Sequence, residues 1–144
     1  MEMRDFSRRI RTIAVEAERE TEATVKKVAI SVDQTVVMAT PVDTGRARSN
    51  WIARLGSAAR SVREAFVPGK KGSTGAANSQ ASIAEARGII AGYNIRSNPA
   101  IFISNNLPYI EKLNDGHSSQ APAAFVQQAV QSGAAAVRNA RIIK

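Results

Sequence analysis

The sequence predicts a small α+β domain: a long N-terminal helix, a small and mainly antiparallel sheet, two further helices and a long basic loop. Three observations carry this. From Arg4 to Ala39 apolar residues recur every three or four positions, with no glycine or proline. The period breaks at Thr40-Pro41-Val42-Asp43-Thr44-Gly45. Beyond that point, two short extended runs alternate with helical patterns.

The first helix rests on Phe6, Ile10, Ile13, Ala17, Val25, Val28, Val32 and Val36, with a gap near Thr21. Arg8, Arg11, Glu18, Glu22 and Lys26 occupy the other side, and Glu22 stands four residues before Lys26 in the favourable order. Unbroken, such a helix spans on the order of 50 Å, more than a domain of this size needs. Part of it is therefore expected to project or to pack on a neighbouring subunit. The β-branched cluster from Val25 to Val37 lowers helix propensity and marks residues 20–24 as a place for a break.

Pro41 has no N–H and disfavours the helical region for Thr40, so the helix should stop there. Asp43 and Thr44 can bond nearby backbone, and Gly45 admits positive φ, which together describe a tight turn. Arg46 and Arg48 then lead, as one helical turn or as the start of a strand, into Asn50 to Leu55. There Trp51, Ala53 and Leu55 alternate with Asn50, Ile52 and Arg54, a strand anchored by Trp51. Residues 57–79, with Pro68-Gly69-Lys70-Lys71-Gly72-Ser73-Thr74-Gly75, have no period and read as a long mobile loop. A short strand or helical turn is conceivable only at Ser61–Val67.

Ser79 to Ala91 reads as the second helix, with Asn78 or Ser79 as N-cap and Gly92 as stop. Ala100 to Ser104 is a buried strand by its apolar, β-branched run. Asn105 to Pro108 ends it, and Tyr109 to Leu113 is a short segment before Asn114-Asp115-Gly116. Ala123 to Ala140 is the last helix, followed by an apolar tail, Ile142-Ile143-Lys144. The chain of 144 residues is one domain, divided into 1–39, 40–56, 57–79 and 80–144. Its small sheet leaves edges that strand pairing within an oligomer would satisfy.

Composition narrows the chemistry. With no cysteine there is no disulfide frame, thiolate nucleophile or Cys-based zinc site, and His117 is the only histidine. No apolar run approaches the ~18 residues of a membrane helix, and the N-terminus lacks a signal-peptide pattern. Asp43-Thr44-Gly45 matches the aspartic-protease triplet but lacks its apolar strand context, with Pro41 before it and Arg46 after. Gly69 to Ser73 lacks phosphate-loop spacing. No acid–base cluster suggests catalysis, and no cofactor is implied. Of the net charge of +8, residues 46–71 hold +6, from Arg46, Arg48, Arg54, Arg60, Arg63, Lys70 and Lys71 against Glu64. Two readings stand for these bases: a solvated surface, or contact with phosphates or a partner through Arg46, Arg48, Arg60, Arg63, Lys70 and Lys71. Tyr93 and Tyr109 read as packing residues with a tethered hydroxyl.

Two blocks carry a family likeness. Thr40-Pro41-Val42-Asp43-Thr44-Gly45-Arg46-Ala47-Arg48-Ser49-Asn50-Trp51, after a long helix, resembles the signature of tailed-bacteriophage neck proteins, the tail-completion or head–tail joining family. Asn105-Asn106-Leu107-Pro108-Tyr109, running on to Asn114-Asp115-Gly116, resembles the family's second block, and Ser118-Ser119-Gln120-Ala121-Pro122 with the helix after it resembles the C-terminal one. The resemblance does not cover residues 57–79. It implies a virion structural protein made in the bacterial cytoplasm, not an enzyme. Six or twelve copies would form a ring at the head–tail junction, between the portal or head-completion adaptor and the tail terminator or tube, with packaged DNA passing through. In that reading Pro41, Asp43, Thr44, Gly45, Trp51, Asn106, Pro108, Tyr109, Gly116 and Pro122 are structural. A tail terminator, minor tail protein or head-closure adaptor is the nearest alternative, and a basic DNA-binding protein a remote one.

Overall fold

The computed structural model describes residues 2–138. Helix α1 runs unbroken over Met3–Ala39. It is followed by a single turn, α2 (Arg46–Ser49), strand β1 (Ile52–Leu55), helix α3 (Gly75–Ala91), strand β2 (Ile101–Ser104), a short helix α4 (Ile110–Asn114) and helix α5 (Phe125–Ala135). The predicted α+β class is the one observed. The break considered near residues 20–24 is absent: Thr21 and Thr24 turn their hydroxyls onto the carbonyls of Ala17 and Glu20, 2.8 and 2.9 Å away, inside a continuous helix. Ala140 and the tail at residues 142–144 lie outside the described residues.

The sheet is one antiparallel pair, with Ile52 opposite Ser104, Ala53 opposite Ile103, Arg54 opposite Phe102 and Leu55 opposite Ile101. Because side chains alternate across a strand, Ala53, Leu55, Ile101 and Ile103 share one face. That face meets α3 and α1 through Ala86, Ile90, Ala29 and Ile30. A second cluster of Val36, Val37, Trp51 and Ala129 joins α1 to α5. The β2 run is half-buried, not buried as its apolar pattern predicted: Phe102 is exposed on the face turned away from α3. Trp51 precedes the strand instead of lying in it, yet it is the aromatic anchor of the core.

With few aromatics, the core closes by bringing backbones together. A Cβ on Gly133 would sit 2.7 Å from Val32 Cα and 2.9 Å from Val32 N, so α5 lies directly on the α1 backbone. The turn after α3 clamps α1 from another side. Arg96 Nε donates to Glu18 at 2.7 Å, and the Ile95 N–H donates to Glu22 at 3.0 Å. Above that clamp, residues 2–16 of the chain are exposed on every face.

Asp33 lies within this packing, 1% exposed, and its Oδ1 has no hydrogen-bond partner. Burial, and secondarily the Glu85 charge, push its carboxyl up to about 7. Glu85 is itself held by Arg63, at 2.8 Å. A raised folded-state pKa means the folded chain binds this proton more tightly than the unfolded chain. The associated stability is complete below about pH 4, falls as pH rises, and is lost above about pH 7.

Asp33→Asn should therefore leave stability nearly unchanged at pH 4 and raise it at pH 8, by on the order of 2–4 kcal/mol, in urea unfolding. An equal effect at both pH values would contradict the assignment. Gly133→Val should cost about 2–3 kcal/mol by forcing α5 off α1, read as a lowered urea midpoint.

Candidate functional site

The C-terminal end of α1 is buried, so its last carbonyl groups need donors. Helix α1 has no basic residue in its last turn. Two side chains from outside the helix body supply the need. Thr40 leaves the helix in an extended conformation, and its hydroxyl donates to the Val36 carbonyl at 2.7 Å. The same oxygen accepts the Trp51 indole N–H at 2.8 Å. Arg48, carried on α2, donates to the carbonyls of Thr40 at 2.8 Å and Met38 at 3.2 Å. It also reaches the N-terminal turn of α3 at the Gly75 carbonyl, 3.4 Å, and Ser79 Oγ, 2.9 Å. One guanidinium thus ties the end of one helix to the start of another.

Gly45 makes the turn itself, at φ +90°. A Cβ there would run into the side-chain amide of Asn78. Asn78 is fully buried and satisfied at both ends: its oxygen accepts from Ser49 Oγ at 2.8 Å and the Val67 N–H at 2.9 Å, and its nitrogen donates to the carbonyls of Val67 and Thr74, each at 2.8 Å. Asn50 does the same for Arg63, accepting its N–H at 2.8 Å and donating to its carbonyl at 2.7 Å.

These bonds correct the reading of residues 57–79 as a mobile loop. Residues 57–74 contain no helix or strand, but side-chain amides hold them down as ladder partners would. Asp43 Oδ1 accepts the Lys71 N–H at 2.8 Å, and the carbonyls of Asp43 and Thr44 accept from Gly72 and Gly69 at 2.8 and 3.1 Å. The helix also begins earlier than expected, at Gly75 after Thr74, so Asn78 and Ser79 are buried helix residues and not N-caps.

The second block closes on the first. Gln120 accepts the Val42 N–H and donates to the Val42 carbonyl, both at 2.8 Å, completing a two-bond bridge across 78 positions. Asn105 donates to the Ala47 carbonyl at 3.0 Å, and Asn106 to that of Ala59 at 2.8 Å. Gly116 turns at φ +92°, close against Ala123. Asn114 caps α5 from outside, accepting the Val126 N–H at 2.9 Å, because the preceding Ala124 has no side-chain acceptor. Pro108 and Pro122 are exposed.

Between the blocks lies a cleft of about 680 Å³, lined by Pro41 to Ala47, Glu64, Pro68, Gly69, Tyr109, Leu113, His117, Ser118 and Gln120. Tyr109 stands at its edge and is more exposed than the packing role predicted for it; partial burial raises its hydroxyl pKa, and nearby Arg46 opposes the shift. Arg46 donates to the Arg63 carbonyl at 3.2 Å and lies 3.5 Å from Glu64. Arg63 donates to the Ser49 carbonyl at 2.6 Å, pairs with Glu85 and lies over the Phe66 ring at 4.3 Å. The bases proposed from sequence as one outward set are therefore divided. Arg46, Arg48 and Arg63 bond within the chain, whereas Arg60, Lys70 and Lys71 are exposed.

The cleft brings together one histidine, one tyrosine and two carboxylates, none hydrogen-bonded to another in a nucleophile–base arrangement. Among the described residues no cluster of three or more His, Asp or Glu could hold a metal ion, and no helix is long and apolar enough to cross a membrane. Comparison with family models, curated proteins and solved structures found no match to this chain.

Gly45→Ala should cost about 2–4 kcal/mol, from left-handed backbone strain and displacement of the Asn78 amide. Asn78→Ala should cost a similar amount, and the double variant should cost less than the sum, measured by urea unfolding. Additive losses would mean that the two residues do not act on one contact.

Proposed function

We propose that this protein is a structural component of a tailed-bacteriophage particle, a homo-oligomeric ring at the head–tail junction that completes the tail or joins it to the head. One observation carries the reading. The three segments that resemble the neck-protein signature, 40–51, 105–116 and 118–122, meet around a single corner through Gln120–Val42 and Asn105–Ala47.

The shape supports assembly. A helix of 37 residues, about 55 Å long, extends well past the domain that holds it. Among the described residues, both outer edges of the two-stranded sheet are unpaired. Inward commitment of Arg48 and Arg63 weakens the case for a dedicated DNA-binding face. Arg60, Lys70 and Lys71 are left as the bases that would meet packaged DNA or a neighbouring protein.

Native mass measurement and negative-stain microscopy of the purified protein should show a closed ring. Particles made without it should accumulate as separate heads and finished tails. A protein that stays monomeric at high concentration and is missing from purified particles would overturn the proposal.

A further inference from the structure

Asp33 stands where the packing of α1 calls for an apolar side chain. Ala29, Ile30, Val36 and Val37 lie three and four positions away along the helix and so share its face. All four pack inward: Ala29 and Ile30 on Ala86 and Ile90 of α3, Val36 and Val37 in the cluster that Ile83 of α3 joins. Asp33 is thus in the middle of the seam between α1 and α3, 1% exposed. An apolar residue would fill the place without electrostatic cost. A carboxylate there must find a cation or take up a proton.

Among the described residues no cation is in place for it. Between Lys27 and Ala39, Asp33 is the only charged residue of α1. Helix α3 brings Glu85, whose charge acts on Asp33, and Arg87, which donates to Gln34 Oε1 at 3.2 Å on the exposed side. Helix α5 carries no charged residue from Phe125 to Ala135, and neither does β2; Arg54 of β1 and Glu111 and Lys112 of α4 are exposed. Arg48 is bonded at Thr40, Met38, Gly75 and Ser79. Arg63 of the 57–74 segment is held by Glu85 at 2.8 Å and by the Ser49 carbonyl at 2.6 Å, and its Nη2 is buried without a hydrogen-bond partner. Two carboxyl groups therefore share the seam with one guanidinium, and the guanidinium is committed to the outer one. The Oδ1 of Asp33, the deeper carboxyl, has no partner.

We infer that Asp33 is a proton-operated latch on this seam: protonated, it lets α3 close on α1; ionised, it drives α3, and the part of 57–74 that α3 holds, away from α1. The segment follows because Asn78 of α3 bonds both the N–H and the carbonyl of Val67, and Glu85 holds Arg63. Helix α5 stays, since it is seated on α1 through Gly133 and Val32. Freed of α1, a helix of 17 residues is marginal by itself, so its amides become open to exchange. The device does not depend on the ring proposed above.

Amide hydrogen exchange of the whole protein, corrected for intrinsic rates, tests it. The closed form keeps the proton up to about pH 7, the open form only to about pH 4. Opening of α3 and of the Val67 N–H should therefore grow with pH and level off near 7, changing about a hundredfold between pH 5 and pH 8, with α5 little affected. Asp33→Asn and Asp33→Ala should each abolish this dependence. Glu85→Gln should move it to lower pH by removing the second negative charge, and His117→Gln, in the corner cleft, should leave it in place. A response spread equally over α1, α3 and α5 would be global unfolding and would overturn the latch, as would a response that survives both Asp33 variants. Protection of α3 that rises with pH would mean that ionised Asp33 captures the free Nη2 of Arg63, and would overturn it as well.

Discussion

A long helix that ends inside a domain must dispose of its last carbonyl groups, and the rest of the structure depends on how this one does so. The solution uses two side chains. Thr40 Oγ1 donates back to Val36 and accepts from Trp51; Arg48 covers Thr40 and Met38. A cation at a helix C-terminus is favourable by itself, but Arg48 also holds the first turn of α3. The direction of α1, the position of Trp51 and the start of α3 are thereby coupled through one side chain. The Pro41 to Gly45 turn exists to bring Arg48 back onto the helix that precedes it. Its glycine is required both by positive φ and by the Asn78 amide that occupies the space where a Cβ would go.

The body around this corner is built with small side chains. Ala53, Ala86, Ala129 and Gly133 occupy contact positions where larger residues would hold elements apart. Close backbone approach gives many dispersion contacts per unit area and compensates for the scarcity of aromatic rings. It also makes the packing intolerant of added volume. Buried amides take over a role that a larger sheet would fill. Asn50, Asn78 and Gln120 each satisfy both an N–H and a carbonyl of a distant segment; Asn50 and Asn78 thereby keep residues 57–74 against the body without strand pairing.

Legibility in the sequence followed the range of the interactions. The end of α1 and the turn at Gly45 were readable because proline and glycine act on their own backbone. The strands were readable from period and β-branching, although the solvent exposure of Phe102 was not, since burial depends on what lies opposite. The segment at 57–79 was misread because its polarity and glycines describe a loop correctly, while the groups that hold it belong to Ser49, Asn50 and Asn78. Asn78 and Ser79 were mistaken for caps for a related reason. Polar residues near a helix start favour that reading, and only the third dimension shows them one turn inside, bonded to the corner. Asn114 and Gln120 carried no local signal beyond lying in blocks that resembled a known signature.

The stripe on α1 shows the same limit from the other side. Its three- and four-residue spacing runs from Phe6 to Val36 with one gap near Thr21, so the pattern does not mark where cover by the chain itself ends. The structure places that limit at the clamp by Ile95 and Arg96, near Glu18 and Glu22. A rigid rod held from Glu18 onward thus carries its last turn into the corner, where Thr40, Arg48 and Gln120 fix its direction, while its first four turns stand clear of the domain.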